Sequence, residues 1–284
     1  MLQFAPSTYW SAKTRPVSAR QVRHDHLRVI LVAIWTTNFG VYGARKLWKA
    51  ARRDGHDVGR DQVTRLMREA GIEGVSRRVS RRTTRPDPCA GRAEDLVRRN
   101  FTATAPNQLW VTDLTYVSSW AGTVYVCFII DAFSRTIVGW RAASRMRTSM
   151  VIDALEMACW RRGTVLAGLR LHSDAGSQFT SIRYTERLEE AGAVPSIGTV
   201  ADSYDNALAE SVNGLYKAEL IRRHGPWAGV DAVELATMRW VDWWNNERLH
   251  GYLDDVPPAE FEAAWVAAEG CPVTSDVALA VTGR

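Results

Sequence analysis

Residues 109–142 read LWVTDLTYVSSWAGTVYVCFIIDAFSRTIVGWRA and decide the fold class of this chain. Apolar and β-branched residues alternate in three runs, at 109–117, 123–131 and 136–142, and short turn-like segments separate the runs. Alternation with a period of two is typical of β-strands. Three adjacent strands joined by short turns predict an antiparallel meander.

The pattern changes to alternating helices and strands after the third run. The remaining predicted elements are a helix at 149–161, a strand at 169–173, a helix at about 181–191, a strand at 194–197 and a long helix that opens near Ser203. Three strands followed by helix, strand, helix, strand and helix is the element order of a ribonuclease H-like α/β domain. We therefore predict an α/β fold with a ribonuclease H-like core, built on a mixed five-stranded sheet with flanking helices.

The first part of the chain is predicted to be all-helical. Between Val22 and Gly71, apolar residues recur at spacings of three and four, and breaks containing glycine interrupt them. The last of these helices is expected to open near Gly59 to Asp61 and to stop at Gly71, which suits a C-terminal cap. Short helices separated by glycine turns predict a helix-turn-helix DNA reader, although small basic helical bundles with other roles share this pattern.

Charge is divided unevenly along the chain. The first 100 residues carry 21 Lys and Arg against 9 Asp and Glu, and the rest carry 15 against 22, which gives net charges of +12 and −7. This favours a polyanion-binding module joined to a part that holds cations, or else two solvated surfaces of different composition. The predicted organisation is a helix-turn-helix region at 1–75, an arginine-rich linker at 76–104, a catalytic core at 105–265 and a tail at 266–284.

Composition excludes several classes of protein. The chain has 284 residues, of which 46% are apolar and 24% charged, so it has enough apolar residues for one or two domains and is not wholly disordered. Its apolar runs fall short of the roughly 20 residues that a membrane helix needs, and its start lacks a secretory signal, so we expect no membrane association. Four scattered cysteines without a C-x-x-C pair indicate a reducing, cytosolic context.

Three carboxylates stand out in the predicted core. Asp113 lies in the middle of the first strand, where a charge needs a partner or a cation. Asp174 ends the fourth strand, and Glu210 lies on the long helix. Each alone has an ordinary structural explanation, as a capping residue or a solvated helix charge. Together they satisfy the demand of two-magnesium phosphodiester chemistry for carboxylates that converge from separate elements.

Several motifs, taken in order, resemble a known family. They are YGARK at 42–46, VTRLMREAGI at 63–72, WVTDLTYV at 110–117, VCFIIDAFSRTIVGW at 126–140, HSDAGSQFTS at 172–181, SYDNALAESVNGLYKAEL at 203–220, WVDWWNNERLH at 240–250 and PPAEFE at 257–262. The chain resembles the OrfB-type transposases, encoded by the second reading frame of bacterial insertion sequences of the insertion-sequence-3 family, which have a retroviral-integrase-like core. As in that family, 35 residues separate Asp174 from Glu210, and a basic residue, Lys217, follows seven residues later.

The resemblance implies a DDE-type polynucleotidyl transferase. Asp113, Asp174 and Glu210 would be both the catalytic and the metal-binding residues, holding two Mg²⁺ ions for which Mn²⁺ substitutes. The enzyme would cleave DNA at the terminal inverted repeats of its insertion sequence and transfer the strands to target DNA. The PSTYW segment begins at residue 6, earlier than the family pattern leads us to expect, which predicts a truncated or misassigned start.

The resemblance also implies partners. The active enzyme is expected to be a frameshift fusion with an upstream protein that carries a helix-turn-helix and a leucine zipper, and to act as a homo-oligomer on DNA. We expect it in the bacterial cytoplasm, associated with the nucleoid when it is bound. The residues expected to contact DNA are Arg45, Lys46, Arg60, Arg65 and Arg68 in the first region, and Ser177, Gln178, Asn206 and Lys217 in the core.

Other residues have two interpretations that the sequence leaves open. Asp131 is either an acid near the site or a turn residue at the end of a strand. Arg248 and His250 either reach the active site from the last helix or form a basic pair at its end. The tryptophans at 240, 243, 244 and 265 fit core packing better than stacking on unpaired DNA.

Two other functions stay open at this point. A structure-specific nuclease of the ribonuclease H type would keep the fold, but it has no need of a basic helical region that recognises particular DNA ends. A catalytically silent DNA-binding regulator would keep the helix-turn-helix, but nothing would then hold three carboxylates together.

Overall fold

The computed structural model describes residues 6–76, 103–163, 166–174, 179, 181–197 and 207–269. The chain divides into two compact units, residues 1–76 and residues 77–284. No helix in the described ranges is both long enough and apolar enough to cross a membrane.

The first unit is helical. Its helices are α1 (Pro6–Thr14), α2 (Ala19–Thr37), α3 (Ala44–Arg53) and α4 (Arg60–Ala70). Helix α2 begins after Ser18, whose side chain accepts a hydrogen bond from the backbone N–H of Gln21 at 3.2 Å. Helix α4 ends at Gly71, which has a left-handed φ of 65° that glycine adopts without a Cβ penalty. The predicted start and stop of this helix are both confirmed.

The core of the first unit lies between α2, α3 and α4. Each helix contributes apolar side chains at spacings of three and four, so one face of each is buried. The fully or almost fully buried members include Leu27, Leu31, Leu47, Val63 and Leu66. The backbone of Gly74 packs directly against Gly43, because a Cβ on Gly74 would lie 2.5 Å from the Gly43 Cα.

The second unit is built on a five-stranded sheet. The strands are β1 (Leu109–Ser119), β2 (Gly122–Asp131), β3 (Ile137–Ala143), β4 (Arg170–Ser173) and β5 (Val194–Ile197). Their order in the sheet is β3-β2-β1-β4-β5. The first three strands are antiparallel neighbours, whereas β4 runs parallel to β1 and β5 runs parallel to β4. The predicted meander and the mixed sheet are therefore confirmed.

Helices follow and flank the strands. They are α5 (Thr148–Arg162), α6 (Ile182–Glu190), α7 (Ala207–Tyr216), α8 (Arg222–His224), α9 (Val230–Asn246) and α10 (Pro258–Glu269). A π-helical turn, Lys217–Ile221, connects α7 to α8, and a 3₁₀ turn, Gly251–Leu253, follows α9. Helix α10 extends beyond residue 265, the expected end of the core.

Each face of the sheet is covered by a different set of helices. On one face, Trp110, Cys127 and Ile129 form a core with α5 and α6. Helix α5 comes so close to β3 that a Cβ on Gly139 would lie 2.1 Å from the carbonyl oxygen of Ala154.

The opposite face packs against α7 and α9 through aromatic rings. The ring centroid of Phe128 lies 5.0 Å from that of Tyr216, and the centroid of Tyr216 lies 5.1 Å from that of Trp240. Trp240, Trp243 and Trp244 are buried, which confirms their prediction as core residues. Trp265 is half-buried, and its ring packs against Phe133 at a centroid distance of 5.7 Å.

Two ion pairs tie the last helices to the sheet and to the π-helical turn. The guanidinium of Arg162 pairs with Glu262 of α10, which also accepts hydrogen bonds from the hydroxyls of Ser134 and Thr136. The guanidinium of Arg248 donates to both carboxylate oxygens of Glu219, at 2.6 and 3.1 Å. Both side chains of this second pair are more than 90% buried.

Candidate active site

Asp113 occupies the centre of the long strand β1 and points away from the α5 face of the sheet. Strand alternation puts it on the side of Phe128, its antiparallel partner on β2, where α7 packs. One carboxylate oxygen, Oδ1, accepts a hydrogen bond from the backbone N–H of Leu114 at 2.8 Å. The other, Oδ2, accepts one from the side-chain amide of Asn213 on α7, also at 2.8 Å.

The sheet register brings Asp174 next to Asp113. Strands β1 and β4 are parallel, and Thr112 pairs with Ser173. Asp113 follows Thr112 on β1, and Asp174 follows Ser173 at the end of β4. The two aspartates therefore lie side by side. Asp174 is exposed at the carboxyl end of β4, the edge at which α/β sheets place ligands.

Glu210 approaches the same place from α7. It is exposed and lies three residues before Asn213, which puts both residues on one face of the helix. Because Asn213 is hydrogen-bonded to Asp113, this helical face is turned toward β1.

The electrostatics of Asp113 show that the three carboxylates interact. Burial raises the pKa of Asp113 to about 7, and the negative charges of Asp174 and Glu210 also raise it. The hydrogen bonds from Leu114 and Asn213 act in the opposite direction. Negative charges near Asp113 disfavour its ionised form, and a cation among them would favour it.

The donor chemistry of the site fits a hard divalent cation, because carboxylate oxygens are the ligands that Mg²⁺ prefers. The described residues nevertheless contain no group of three His, Cys, Asp or Glu side chains arranged to hold an ion. The carboxylates are thus neighbours that influence one another, without the geometry of a closed coordination shell.

Sequence reasoning missed Asn213. The signal was its position three residues after Glu210, which places it on the same helical stripe. Its side chain is 8% exposed, and its Oδ1 is buried without a hydrogen-bond partner among the described residues. An asparagine that fixes the carboxylate of a candidate metal ligand is part of the site even though it does not carry a charge.

Lys217, expected to contact DNA, lies at the start of the π-helical turn beside the site. Its Nζ atom is 4.3 Å from the ring centroid of Tyr116 on β1. Burial lowers the pKa of Lys217, the positive charge of Arg222 lowers it further, and the negative charge of Asp113 acts to raise it. Lys217 therefore responds to the same charge cluster as the carboxylates.

The other expected DNA contacts divide into two groups. Arg45, Arg60, Arg65 and Arg68 are exposed on α3 and α4, and Lys46 of α3 holds its Nζ atom 5.5 Å from the ring centroid of Tyr42. Arg65 also donates toward the Nε2 atom of His24 at 3.2 Å. The remaining three, Ser177, Gln178 and Asn206, lie outside the described residues, as does Ser203, where the long helix was expected to open.

The structure favours the structural interpretation of Asp131, Arg248 and His250. Asp131 is buried at the end of β2 and accepts backbone hydrogen bonds from Asn107 at 2.8 Å and Phe133 at 2.9 Å. Arg248 is buried in its ion pair with Glu219, and the Nε2 atom of His250 lies 3.2 Å from the backbone oxygen of Trp244.

Comparison with known proteins settles the family. Over 275 residues the chain is 52% identical to a protein of Mycobacterium tuberculosis named as a transposase for insertion sequence element IS986/IS6110, with 95% of this chain and 99% of the relative covered. The chain belongs to the IS3-type insertion-sequence transposases. This transposase is also 49% identical over 276 residues to the transposase for insertion sequence element IS629 of Shigella sonnei, covering 95% of one chain and 91% of the other.

The match to domain families follows the two units of this transposase. Residues 23–80 match an HTH-like domain, and residues 103–203 and 191–258 match integrase core domains. Among solved structures, the HTLV-2 integrase catalytic core domain in complex with magnesium is 17% identical, with a TM-score of 0.43, covering 56% of this chain and 98% of that chain. The function of this transposase is DNA transposition, and DNA is its partner.

Proposed function

We propose that this transposase cleaves and joins DNA strands as a DDE-type polynucleotidyl transferase, with Asp113, Asp174 and Glu210 as its catalytic, metal-binding carboxylates. The observation that carries the proposal is geometric: the parallel pairing of β1 with β4 brings Asp113 beside Asp174, and the hydrogen bond from Asn213 turns the Glu210 face of α7 toward Asp113. It supports a shared site made from two neighbouring strands and one helix, the type of arrangement that metal-assisted phosphoryl transfer requires.

The proposed cofactor is a pair of Mg²⁺ ions, with Mn²⁺ as a substitute. Asp113 and Asp174 would hold the first ion, and Glu210 would complete the site of the second. When bound, such ions lower the pKa of an attacking water or DNA 3′-hydroxyl and stabilise the charge that develops at phosphorus. Asn213 would fix the Oδ2 atom of Asp113 so that the carboxylate keeps one orientation.

The proposed DNA contacts lie in each of the two units. Lys217 would bind a phosphate near the carboxylates, and Ser177, Gln178 and Asn206 would contact the DNA around the reacting end. Exposed arginines of α4 would bind the duplex backbone, together with Arg45 and Lys46 of α3. DNA binding outside the active site is thus assigned to residues 1–75 and chemistry to residues 105–265, with a linker at 76–104 and a tail at 266–284.

The proposed assembly includes further protein. Recognition of the terminal inverted repeats would need the upstream helix-turn-helix and leucine-zipper protein, joined to this chain by frameshifting. The fusion would act as a homo-oligomer that holds the element ends and the target DNA together. It would work in the bacterial cytoplasm, on the nucleoid when bound. A slippery run in an overlapping upstream frame and flanking inverted repeats in the DNA would support this assembly.

The decisive experiment is strand joining on a branched DNA that mimics the strand-transfer product. The wild type and Asp174→Asn are compared with Mg²⁺, with Mn²⁺ and with a chelator, both as the single chain and as the upstream fusion. This reverse reaction tests the chemistry without requiring end recognition. We expect metal-dependent joining by the wild type and its loss in the variant, while DNA affinity without metal stays similar.

The other outcomes separate the alternatives. Random metal-dependent nicking without joining would indicate a ribonuclease H-type nuclease. DNA binding without any reaction, even by the upstream fusion, would indicate a catalytically silent regulator and would contradict the proposal.

A further inference from the structure

We propose that Tyr116 is a positioning residue for Lys217 and holds its ammonium group beside the carboxylate site, where it binds a phosphate of the reacting DNA strand. This inference rests on the proposed function. It gives a role to Tyr116, a residue of the WVTDLTYV motif that was not among the predicted site residues.

The first step is that the backbone of Lys217 is fixed from both sides. The preceding residue, Tyr216, is fully buried, and its hydroxyl lies 2.6 Å from the Oγ1 atom of Thr237 on α9. Two residues after Lys217, the carboxylate of Glu219 is held by the buried guanidinium of Arg248. The remaining freedom therefore lies in the long Lys217 side chain, which loses rotamer entropy when it is held in one place.

The second step is that Tyr116 supplies the contact that can hold this side chain. Its ring is 61% exposed, so it contributes little to the core of the second unit. The Nζ atom of Lys217 lies 4.3 Å from the ring centroid, well within the range of a cation–π interaction. Tyr116 is three residues beyond Asp113 on β1, so strand alternation puts the two side chains on opposite faces of the sheet. The Lys217 ammonium is nevertheless close enough for the negative charge of Asp113 to act on it.

The third step is the balance of charges around the ammonium group. Arg222, on α8, repels it, whereas Asp113 attracts it. Cations bound to the carboxylates would weaken the attraction by Asp113 and leave the repulsion by Arg222 unchanged. The uncharged ring of Tyr116 is unaffected by this change, so it can keep Lys217 in place when DNA is bound.

The experiment compares Tyr116→Leu with Tyr116→Phe, each made in the wild-type chain and in Lys217→Ala, in the form of the protein that is active on branched DNA. Leucine removes the aromatic face, and phenylalanine keeps it. Steady-state joining with Mn²⁺ gives kcat and KM for the DNA, and fluorescence anisotropy with the same DNA gives its Kd.

We expect Tyr116→Leu to raise KM and Kd by about two- to fivefold, the range of one exposed cation–π contact, with kcat little changed. Tyr116→Phe should resemble the wild type. In the Lys217→Ala background, Tyr116→Leu should have no further effect, because the partner that it positions is gone.

An equal effect of Tyr116→Leu with and without Lys217 would overturn the proposal, and so would a wild-type Kd and KM for Tyr116→Leu. A loss as large for phenylalanine as for leucine would also overturn it, by assigning the effect to the hydroxyl. Failure of the wild type to join any DNA would contradict the proposed function, and the Kd comparison would still test the pairing of Tyr116 with Lys217.

Discussion

Asn213 donates a 2.8 Å hydrogen bond to the Oδ2 atom of Asp113, joining α7 to the central strand across 100 residues of sequence. The bond connects the two elements that carry the first and last carboxylates of the candidate site. It turns toward β1 the helical face of α7 that also carries Glu210. The geometry proposed for the site thus includes an uncharged residue.

Asn213→Ala should reduce strand joining by about 10-fold or more, a typical loss when a residue that orients a metal ligand is removed. Asn213→Asp should reduce it further, because a fourth carboxylate would repel the other three. Initial joining rates at several Mn²⁺ concentrations measure both variants.

The matched control for Asn213 is Asn246→Ala, which removes an amide that is exposed and bonded to Asp242 at 2.7 Å. It should leave the rate unchanged. Wild-type rates for Asn213→Ala in a folded protein would contradict the role given to this residue.

Arg248→Met should strongly destabilise the second unit. It leaves the carboxylate of Glu219 buried without its partner, for which about 3–5 kcal/mol is typical. The double variant Arg248→Met/Glu219→Leu should recover much of the loss, because no buried charge remains. Urea unfolding followed by tryptophan fluorescence measures both.

The exposed pair of Arg52 with Asp57, at 2.8 Å, provides the control for Arg248. Arg52→Met should cost no more than about 1 kcal/mol, as exposed ion pairs do. Equal losses for the two arginine variants would show that the Arg248 pair is not desolvated in solution.

Glu262 should make stability depend on pH. Burial acts to raise the pKa of Glu262, but the hydrogen bonds from Arg162 and Ser134 outweigh it and leave the pKa below its ordinary value of 4.5. A carboxyl group with a lowered folded-state pKa stabilises the protein above its unfolded-state pKa, and this contribution is lost as the pH falls through the folded-state value. The stability difference between the wild type and Glu262→Gln should therefore shrink on acidification below pH 4.5.

Urea midpoints measured from neutral pH down to acid provide the test for Glu262. Glu269→Gln, at the exposed end of the same helix, is the control and should follow the wild-type profile. A stability difference that stays constant with pH would contradict the prediction.

Gly139→Ala should destabilise the sheet where α5 crosses it. The new Cβ would lie 2.1 Å from the Ala154 oxygen and 3.0 Å from the Ala158 Cβ, so the strand or the helix must shift. Overpacking of this kind costs about 1–3 kcal/mol, and the backbone contact points to the upper end.

Thermal unfolding measures the cost of Gly139→Ala. Gly59→Ala, whose added Cβ meets nothing within 4 Å, is the comparison and should lose only about the 1 kcal/mol that an N-cap preference represents. A smaller loss of stability for Gly139→Ala than for Gly59→Ala would contradict the prediction, because it would show that α5 can move away from β3 at little cost.

The sequence predicted the elements whose patterns are strong and local. The strands β1 to β3 alternate clearly, and Gly71 marks the end of α4, so their bounds were close to those observed. Asp113 stood out because a charge inside an apolar strand needs an explanation.

Features that depend on tertiary contacts were not predictable in the same way. Helix α1 was missed because it has no apolar periodicity; its side chains Tyr9 and Trp10 are more than half exposed. The π-helical turn was also missed; its Glu219 is buried against Arg248, a partner 29 residues away that no local pattern reveals. Asn213 has no charge, and only its contact with Asp113 reveals its role.

The parallel arrangement of β4 beside β1 has a consequence for how the protein is made. The β1–β2–β3 meander pairs residues that are close in sequence, whereas β4 must return to β1 across α5. Local pairings close sooner than distant ones, because less chain entropy is lost. On the ribosome, the strand that carries Asp113 is expected to form before Asp174 and Glu210 arrive. A nascent or truncated chain would then be incapable of breaking DNA, and competence would come only with the finished polypeptide.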